Sequence, residues 1–147
     1  MASPADERAV LDTNVLVYAM NAATEQHAAC RRLHDRAVAG EIAACVTTQV
    51  LFEYFSVVTY AGQVTRMLSP TDALADVEAL QVAFEILPVP ADLADRVIAL
   101  LRETGFSGRH VFDVQLAATM LAAGVQRIYT YDPRFEKMPG IVAVRPE

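Results

Sequence analysis

Residues 8–20 have the sequence RAVLDTNVLVYAM, and this segment decides the fold class. Its first four residues predict a β-strand, and Asp12 follows directly where that strand ends. The apolar residues from Val15 onward predict a short helix over about 14–20, which stops before Asn21. A strand that passes through a polar turn into a helix is typical of α/β domains, in which strands and helices alternate.

The rest of the chain continues this alternation of short strands and longer helices. Thr47 or Thr48 can cap a helix that extends to about Tyr60, and Ser69-Pro70 places a cap residue before a proline at the first helical position. The remaining predictions are strands at about 42–46, 85–87, 127–130 and 141–144, helices at about 25–38, 70–84, 91–103 and 111–123, a loop at 107–109 and a turn at 132–133. We therefore expect a mainly parallel central sheet of about five strands, flanked by helices.

Composition limits the possible classes of protein. The chain has 147 residues, of which 54% are hydrophobic, so it is not a disordered protein. This length suits one domain, predicted over 1–147 with a core at about 8–144. Twelve basic residues against 18 acidic ones give a net charge of −6, which argues against nucleic-acid binding through a broad basic surface. Lys137 is the only lysine, so the other eleven basic residues are arginines, which suit bidentate contacts with phosphate groups.

Targeting signals are not evident in the sequence. Residues 1–8 lack the apolar stretch of a secretory signal, and no apolar run approaches the roughly 18–20 residues that cross a bilayer. Without an export signal, Cys30 and Cys45 are expected to be buried free thiols. The expected location is the cytoplasm, without membrane contact.

Four carboxylates are the candidate functional groups. Asp12 and Asp132 each follow a predicted strand, and the carboxyl ends of parallel strands lie at one edge of a sheet. Asp113 lies near the start of a helix, which is the end reached from that edge, and Glu53 interrupts an apolar helix face. Four converging carboxylates would repel each other unless they held a hard divalent cation such as Mg²⁺. Acids that do not touch the cation directly can orient the water molecules that surround it.

Each acid also has a purely structural explanation. Asp12 can cap the helix that follows it, and Asp113 can complement a helix dipole. Asp132 precedes a proline and can be a turn residue, while Glu53 can be a solvated surface charge. Only their placement together favours a common site.

The ordered set of segments that carries these acids resembles the PIN-domain ribonucleases, and most closely the VapC-type toxins of bacterial toxin–antitoxin pairs. The segments are LDTNVL at 11–16, Glu53 in the third helix, DVQLAAT at 113–119 and TYDPRF at 130–135. The resemblance extends from Val10 to Val144. It implies a PIN-like three-layer α/β fold and an endoribonuclease that cleaves RNA through a metal-activated water, with Mg²⁺ or Mn²⁺ as cofactor.

The resemblance also implies roles for individual residues. Asp12 and Asp113 would be the principal metal ligands, with Glu53 and Asp132 completing the acidic pocket. Asn14 and Thr130 would be supporting polar groups. No role is assigned to Arg109 or His110, and the RNA target is not indicated by the sequence.

Two partners follow from the same resemblance: a second copy of the chain in a homodimer, and a cognate antitoxin that covers the toxin. An exposed apolar groove is expected to bind a helical antitoxin segment, with contributions from Phe52, Phe55 and Tyr60 unless these residues pack in the core.

Other classes of protein remain as alternatives. A PIN-like domain without catalytic activity would act as a protein-binding regulatory module. A phosphatase with an aspartyl nucleophile would need a second acid two residues after Asp12, where the chain has Asn14. A serine hydrolase is weaker still, because residues 105–108 lack the Gly-x-Ser-x-Gly spacing.

Overall fold

A five-stranded parallel sheet forms the centre of the molecule. In the computed structural model, which describes residues 7–147, the strand order is β3-β2-β1-β4-β5, and every neighbouring pair is parallel. The strands are β1 (Ala9–Leu11), β2 (Ala44–Val46), β3 (Glu85–Ile86), β4 (Arg127–Tyr129) and β5 (Val142–Val144). The predicted parallel sheet is confirmed, while the first six residues of the predicted 1–147 domain lie outside the described residues.

Within residues 7–147, six α-helices surround the sheet. They are α1 (Thr13–Met20), α2 (His27–Val38), α3 (Thr48–Val58), α4 (Pro70–Ala83), α5 (Leu93–Thr104) and α6 (Val111–Ala122). Two predicted caps form: the Thr47 side chain accepts from the Val50 amide at 3.1 Å, and the Ser69 hydroxyl accepts from the Asp72 amide at 3.1 Å. No helix within residues 7–147 has both the length and the apolar character to span a bilayer.

The order of the strands reverses between β1 and β4. From β1 the chain passes outward through β2 to β3, returns to β4 on the other side of β1, and continues to β5. Leu11 of β1 and Tyr129 of β4 are register partners, and the Asp12 amide donates to the Tyr129 carbonyl at 3.0 Å. Such a reversal opens a crevice at the carboxyl ends of the strands, where ligands bind in open α/β sheets.

The core has a large and a small cluster of buried side chains. The large cluster joins β1 and β2 to α1, α2, α3 and α4, and it includes Cys30 and Cys45, which are buried free thiols as predicted. The small cluster centres on Val114 and Ala117 of α6 and on Met138. Helix α5 covers this small cluster with partly buried side chains and has no fully buried residue.

The bounds and types of some local elements differ from those predicted. The predicted loop at 107–109 is largely a short 3₁₀ helix, Gly108–His110, and the predicted turn at 132–133 opens another, Pro133–Lys137. Helix α5 begins at Leu93, two residues later than predicted, because the Leu93 amide donates to the Pro90 carbonyl in a turn. These differences leave the sheet edge and its acids in the predicted place.

Candidate active site

All four predicted acids line one cavity at the carboxyl edge of the sheet. Its volume is about 340 Å³, and it lies where the ends of β1 and β4 meet helices α3 and α6. Asp12 and Asp132 follow the two central strands, Glu53 extends from α3, and Asp113 lies in the first turn of α6. The structure therefore brings together side chains that are up to 120 residues apart in the sequence.

Asp12 is the most buried of the four, with 7% of its surface exposed. Its carboxylate accepts hydrogen bonds from the Thr13 amide at 2.7 Å, the Thr130 hydroxyl at 2.7 Å and the Asn14 side-chain amide at 3.3 Å. Burial raises its pKa to about 6, helped by the negative charges of Glu53 and Asp113 and opposed by the hydrogen bonds from Thr130 and Thr13. Asp12 thus caps α1 and also presents a buried charge to the cavity.

Asn14 and Thr130 connect the ends of β1 and β4. The Thr130 hydroxyl accepts from the Asn14 side-chain amide at 3.3 Å and from the Asp132 backbone amide at 3.0 Å. The Asn14 side-chain oxygen accepts from the Tyr131 amide at 3.3 Å. These contacts hold both loops in one arrangement, which is a supporting role of the kind predicted for the two residues.

Glu53 is held by neutral donors. The Thr13 hydroxyl donates to one carboxylate oxygen at 2.9 Å, and the Gln49 side-chain amide donates to the other at 3.0 Å. The same Gln49 nitrogen donates to the Phe112 carbonyl at 2.9 Å, so that it links α3 to the start of α6. The alternative of a solvated surface charge does not describe Glu53, because both of its oxygens are hydrogen-bonded within the site.

Arg134 forms ion pairs with the other two acids, Asp113 and Asp132. Its guanidinium contacts the Asp113 carboxylate at 3.1 Å and donates to Asp132 at 2.6 Å. The Asp132 carboxylate also accepts from the Arg134 backbone amide at 3.0 Å. Burial and the neighbouring Asp132 raise the pKa of Asp113, whereas Arg134 and His110 act in the opposite direction. His110 is more distant, with its ring nitrogen 3.9 Å from the Asp113 carboxylate.

The carboxylate oxygens of the four acids are the kind of ligand that a hard divalent cation prefers. Within residues 7–147, no three acidic, histidine or cysteine side chains are arranged as a metal site, and Arg134 lies against Asp113 and Asp132. The buried Asp12 carboxylate, however, forms no ion pair with any described side chain. A buried carboxylate without a countercharge is costly, so a cation in the cavity would stabilise it. The acid that an aspartyl phosphatase needs two residues after Asp12 is absent, because that position holds Asn14, whose side-chain amide donates to the Asp12 carboxylate.

Comparison with known proteins identifies the family. The model of the PIN domain family matches residues 9–141. The chain belongs to the PIN-domain family. Ribonuclease VapC7 of Mycobacterium tuberculosis is 30% identical over 138 residues, which cover 94% of this chain and 91% of that protein. The resemblance predicted from the sequence is thereby confirmed.

Solved structures of low identity share this PIN fold. Mycobacterium tuberculosis VapC20, described as a toxin that cleaves the sarcin-ricin loop, superposes with a TM-score of 0.70 at 22% identity, over 94% of this chain and 99% of that one. A chain of the DNA-bound VapBC complex of Salmonella typhimurium gives a TM-score of 0.66 at 22% identity, over 94% and 97% of the two chains. At this identity the likeness concerns the fold.

Sequence reasoning missed three residues of this PIN-domain site. Gln49 precedes Glu53 by four residues, a spacing that places both on one helix face and could have revealed the contact. Thr13 immediately follows Asp12, so its hydroxyl was an available candidate. Arg134 lies inside the segment that carries the family resemblance, but its ion pair with Asp113 joins distant parts of the chain.

Proposed function

We propose that this PIN domain is an endoribonuclease that depends on Mg²⁺ or Mn²⁺ and acts as the toxin of a toxin–antitoxin pair. The observation that carries the proposal is the cavity in which Asp12, Glu53, Asp113 and Asp132 converge, with Asp12 buried and without a countercharge. The relationship to a ribonuclease over 94% of the chain supports RNA as the substrate.

In this proposal the four acids have two different roles. Asp12 and Asp113 are the principal ligands of the cation, and Glu53 and Asp132 complete the pocket directly or through water. A divalent ion held by these acids would supply an activated water and positive charge to offset that on the phosphate oxygens. Asn14 and Thr130 keep Asp12 in place by hydrogen bonds. This chemistry requires no histidine base, in agreement with the peripheral position of His110.

The direct test is cleavage of structured RNAs by the purified, partner-free protein. We expect cleavage in Mg²⁺ or Mn²⁺ and its loss in EDTA, with products that carry a 5′-phosphate and a 3′-hydroxyl. These end groups follow from attack by water on phosphorus with the 3′-oxygen as the leaving group, whereas a 2′-hydroxyl nucleophile would expel the 5′-oxygen and leave a cyclic phosphate. Gel analysis with end-group labelling measures both. Cleavage that persists in EDTA would reject the mechanism, and a chain that cleaves no RNA under any metal condition would favour the inactive regulatory module.

The partners belong to the same proposal. Solved structures of the same fold include VapBC2 of Rickettsia felis and VapBC of Salmonella typhimurium, which supports a cognate antitoxin for this chain. We also propose a homodimer and action in the cytoplasm, where RNA is present and the two thiols would remain reduced. Co-purification with the product of the adjacent reading frame tests for the antitoxin, and light scattering tests the oligomeric state.

Arg134 should compete with the cation for Asp113 and Asp132. Replacing it (Arg134→Ala) removes a positive charge that contacts both acids, so Mn²⁺ should bind about five- to tenfold more tightly. Isothermal titration calorimetry of metal-free protein measures this affinity without any cleavage. Arg127→Ala is the matched control, because Arg127 lies at the start of β4, at the opposite edge of the sheet. An unchanged or weaker affinity in Arg134→Ala would show that Arg134 does not occupy the position of the cation.

A further inference from the structure

Glu53 has the longest side chain of the four acids in the cavity. It extends from α3 into the site and is half-buried. A glutamate has one more rotatable bond than an aspartate, so its carboxylate must lose more conformational freedom before it can hold a cation. The position of this carboxylate therefore depends on the groups that surround it.

Two neutral groups hold the Glu53 carboxylate. The Thr13 hydroxyl donates to one oxygen at 2.9 Å, and the Gln49 side-chain amide donates to the other at 3.0 Å. In the part of the chain that the structure describes, Glu53 forms no ion pair, unlike the two acids that contact Arg134. Neutral donors orient a carboxylate and leave its negative charge available to a cation.

Gln49 is in turn anchored by α6. Its amide nitrogen donates to the Phe112 carbonyl at 2.9 Å, and Phe112 immediately precedes Asp113 in the first turn of α6. The four-residue spacing between Gln49 and Glu53 puts both side chains on one face of α3. One nitrogen thus joins the two helices that carry acids, and it fixes the Glu53 carboxylate relative to the backbone beside Asp113.

The orientation of the Gln49 amide is determined by its two acceptors. The ionised Glu53 carboxylate and the Phe112 carbonyl can only accept hydrogen bonds, so the amide nitrogen must face them. The Gln49 side-chain oxygen is buried and has no hydrogen-bond partner among residues 7–147. A buried acceptor without a partner lowers stability. The contact with Glu53 is therefore kept at a cost to the fold, which is typical of functional sites.

We propose that Gln49 is a positioning residue of the metal site, which holds the Glu53 carboxylate where it can serve the cation. Gln49 acts through Glu53 and does not itself contact the cation. This inference rests on the proposed metal-dependent function and adds a residue to that site beyond the four acids, Asn14 and Thr130. Its physical basis is the pair of hydrogen bonds that one amide nitrogen makes to α3 and α6.

Calorimetric titration of the metal-free protein with Mn²⁺ tests the proposal without RNA. Gln49→Met keeps the length of the side chain but removes both N–H donors. We expect it to weaken Mn²⁺ binding about tenfold, because the loss of a group that orients a metal ligand typically costs roughly ten- to a hundredfold in metal affinity. Gln49→Ala should give a similar loss, which excludes steric disturbance by the methionine side chain.

A double-substitution cycle distinguishes the positioning of Glu53 from a general effect on the fold. Glu53→Gln removes the charge on which Gln49 acts, while the two principal ligands, Asp12 and Asp113, remain to bind Mn²⁺. In that background Gln49→Met should change the Mn²⁺ affinity by less than about twofold. A merely structural role would weaken binding equally in both backgrounds.

Gln81→Met is the matched control, since it makes the same change on the exposed surface of α4. It should leave Mn²⁺ binding unchanged, and circular dichroism verifies the folding of every variant. Unchanged affinity in both Gln49 variants, or an equal loss in both backgrounds, would overturn the role of Gln49 alone. A wild type that binds no Mn²⁺ would overturn the proposed metal site as well.

Discussion

Replacing Asp12 or Asp113 by asparagine should lower metal-dependent RNA cleavage by about a thousandfold or more. Each substitution keeps the size of the side chain but removes a negative charge that would hold the cation and, through it, the phosphate. Several kilocalories per mole of stabilisation at the reacting phosphate depend on that ion, and every tenfold loss in rate corresponds to about 1.4 kcal/mol. Single-turnover cleavage of one RNA, followed by gel, measures the effect.

Asparagine at position 12 should preserve the local fold. In the wild type, Asp12 caps α1 by accepting a hydrogen bond from the Thr13 amide. The side-chain oxygen of asparagine can accept the same hydrogen bond. Asp95→Asn on the exposed surface of α5 is the matched control, since it removes the same charge away from the acidic cavity. Circular dichroism verifies folding of all three variants. Retention of cleavage in both Asp12→Asn and Asp113→Asn would refute the assignment of these acids to the metal.

The metal-free protein should lose stability as the pH rises from about 4 to about 6. Asp12 has a pKa of about 6 in the folded chain and an ordinary value of 3.8, so the folded state binds more protons than the unfolded state in this interval. Stability falls with rising pH wherever the folded state holds the additional proton. The difference in pKa corresponds to about 3 kcal/mol of unfolding free energy, lost fully above the folded pKa. The raised pKa of Asp113 acts in the same direction.

Asp12→Asn should remove most of this pH dependence. An amide does not titrate, so in EDTA the free energy of unfolding of the variant should vary less with pH over this interval than that of the wild type, although the substitution also removes an acceptor for the Thr130 and Asn14 side chains. Urea unfolding at several pH values, with the wild type and the variant compared at each, measures the difference. A variant whose free energy of unfolding falls with rising pH as steeply as that of the wild type would show that burial of the Asp12 charge carries no such penalty.

Local signals explain why so much of the fold could be predicted. Thr47 and Ser69 cap the helices that their sequences indicated, and Asp12 ends β1 where an apolar run meets an acid. The convergence of Asp12 with Asp132 follows from a general rule, because the carboxyl ends of parallel strands share one edge. Neither inference needs any knowledge of how distant side chains meet.

Contacts between distant segments explain what could not be predicted. The ion pair of Arg134 with Asp113 depends on the packing of a 3₁₀ helix against α6, and nothing near either residue in the sequence specifies it. Phe52 and Phe55 belong to the same helix, but only the position of the core decides that one is exposed and the other is packed. Helix α5 starts late because of a turn at Pro90, a local geometry that the sequence pattern did not indicate.

The pairing of Leu11 with Tyr129 makes the spacing of the acids a property of the backbone. Asp12 and Thr130 both lie one residue beyond this pair, on strands about 4.8 Å apart, so ladder hydrogen bonds determine the distance between their loops. Substitutions in α3 and α6 can shift Glu53 and Asp113 without moving that pair. The position of Asp12 beside Thr130 is therefore less sensitive to substitution than the positions of the acids that the helices carry.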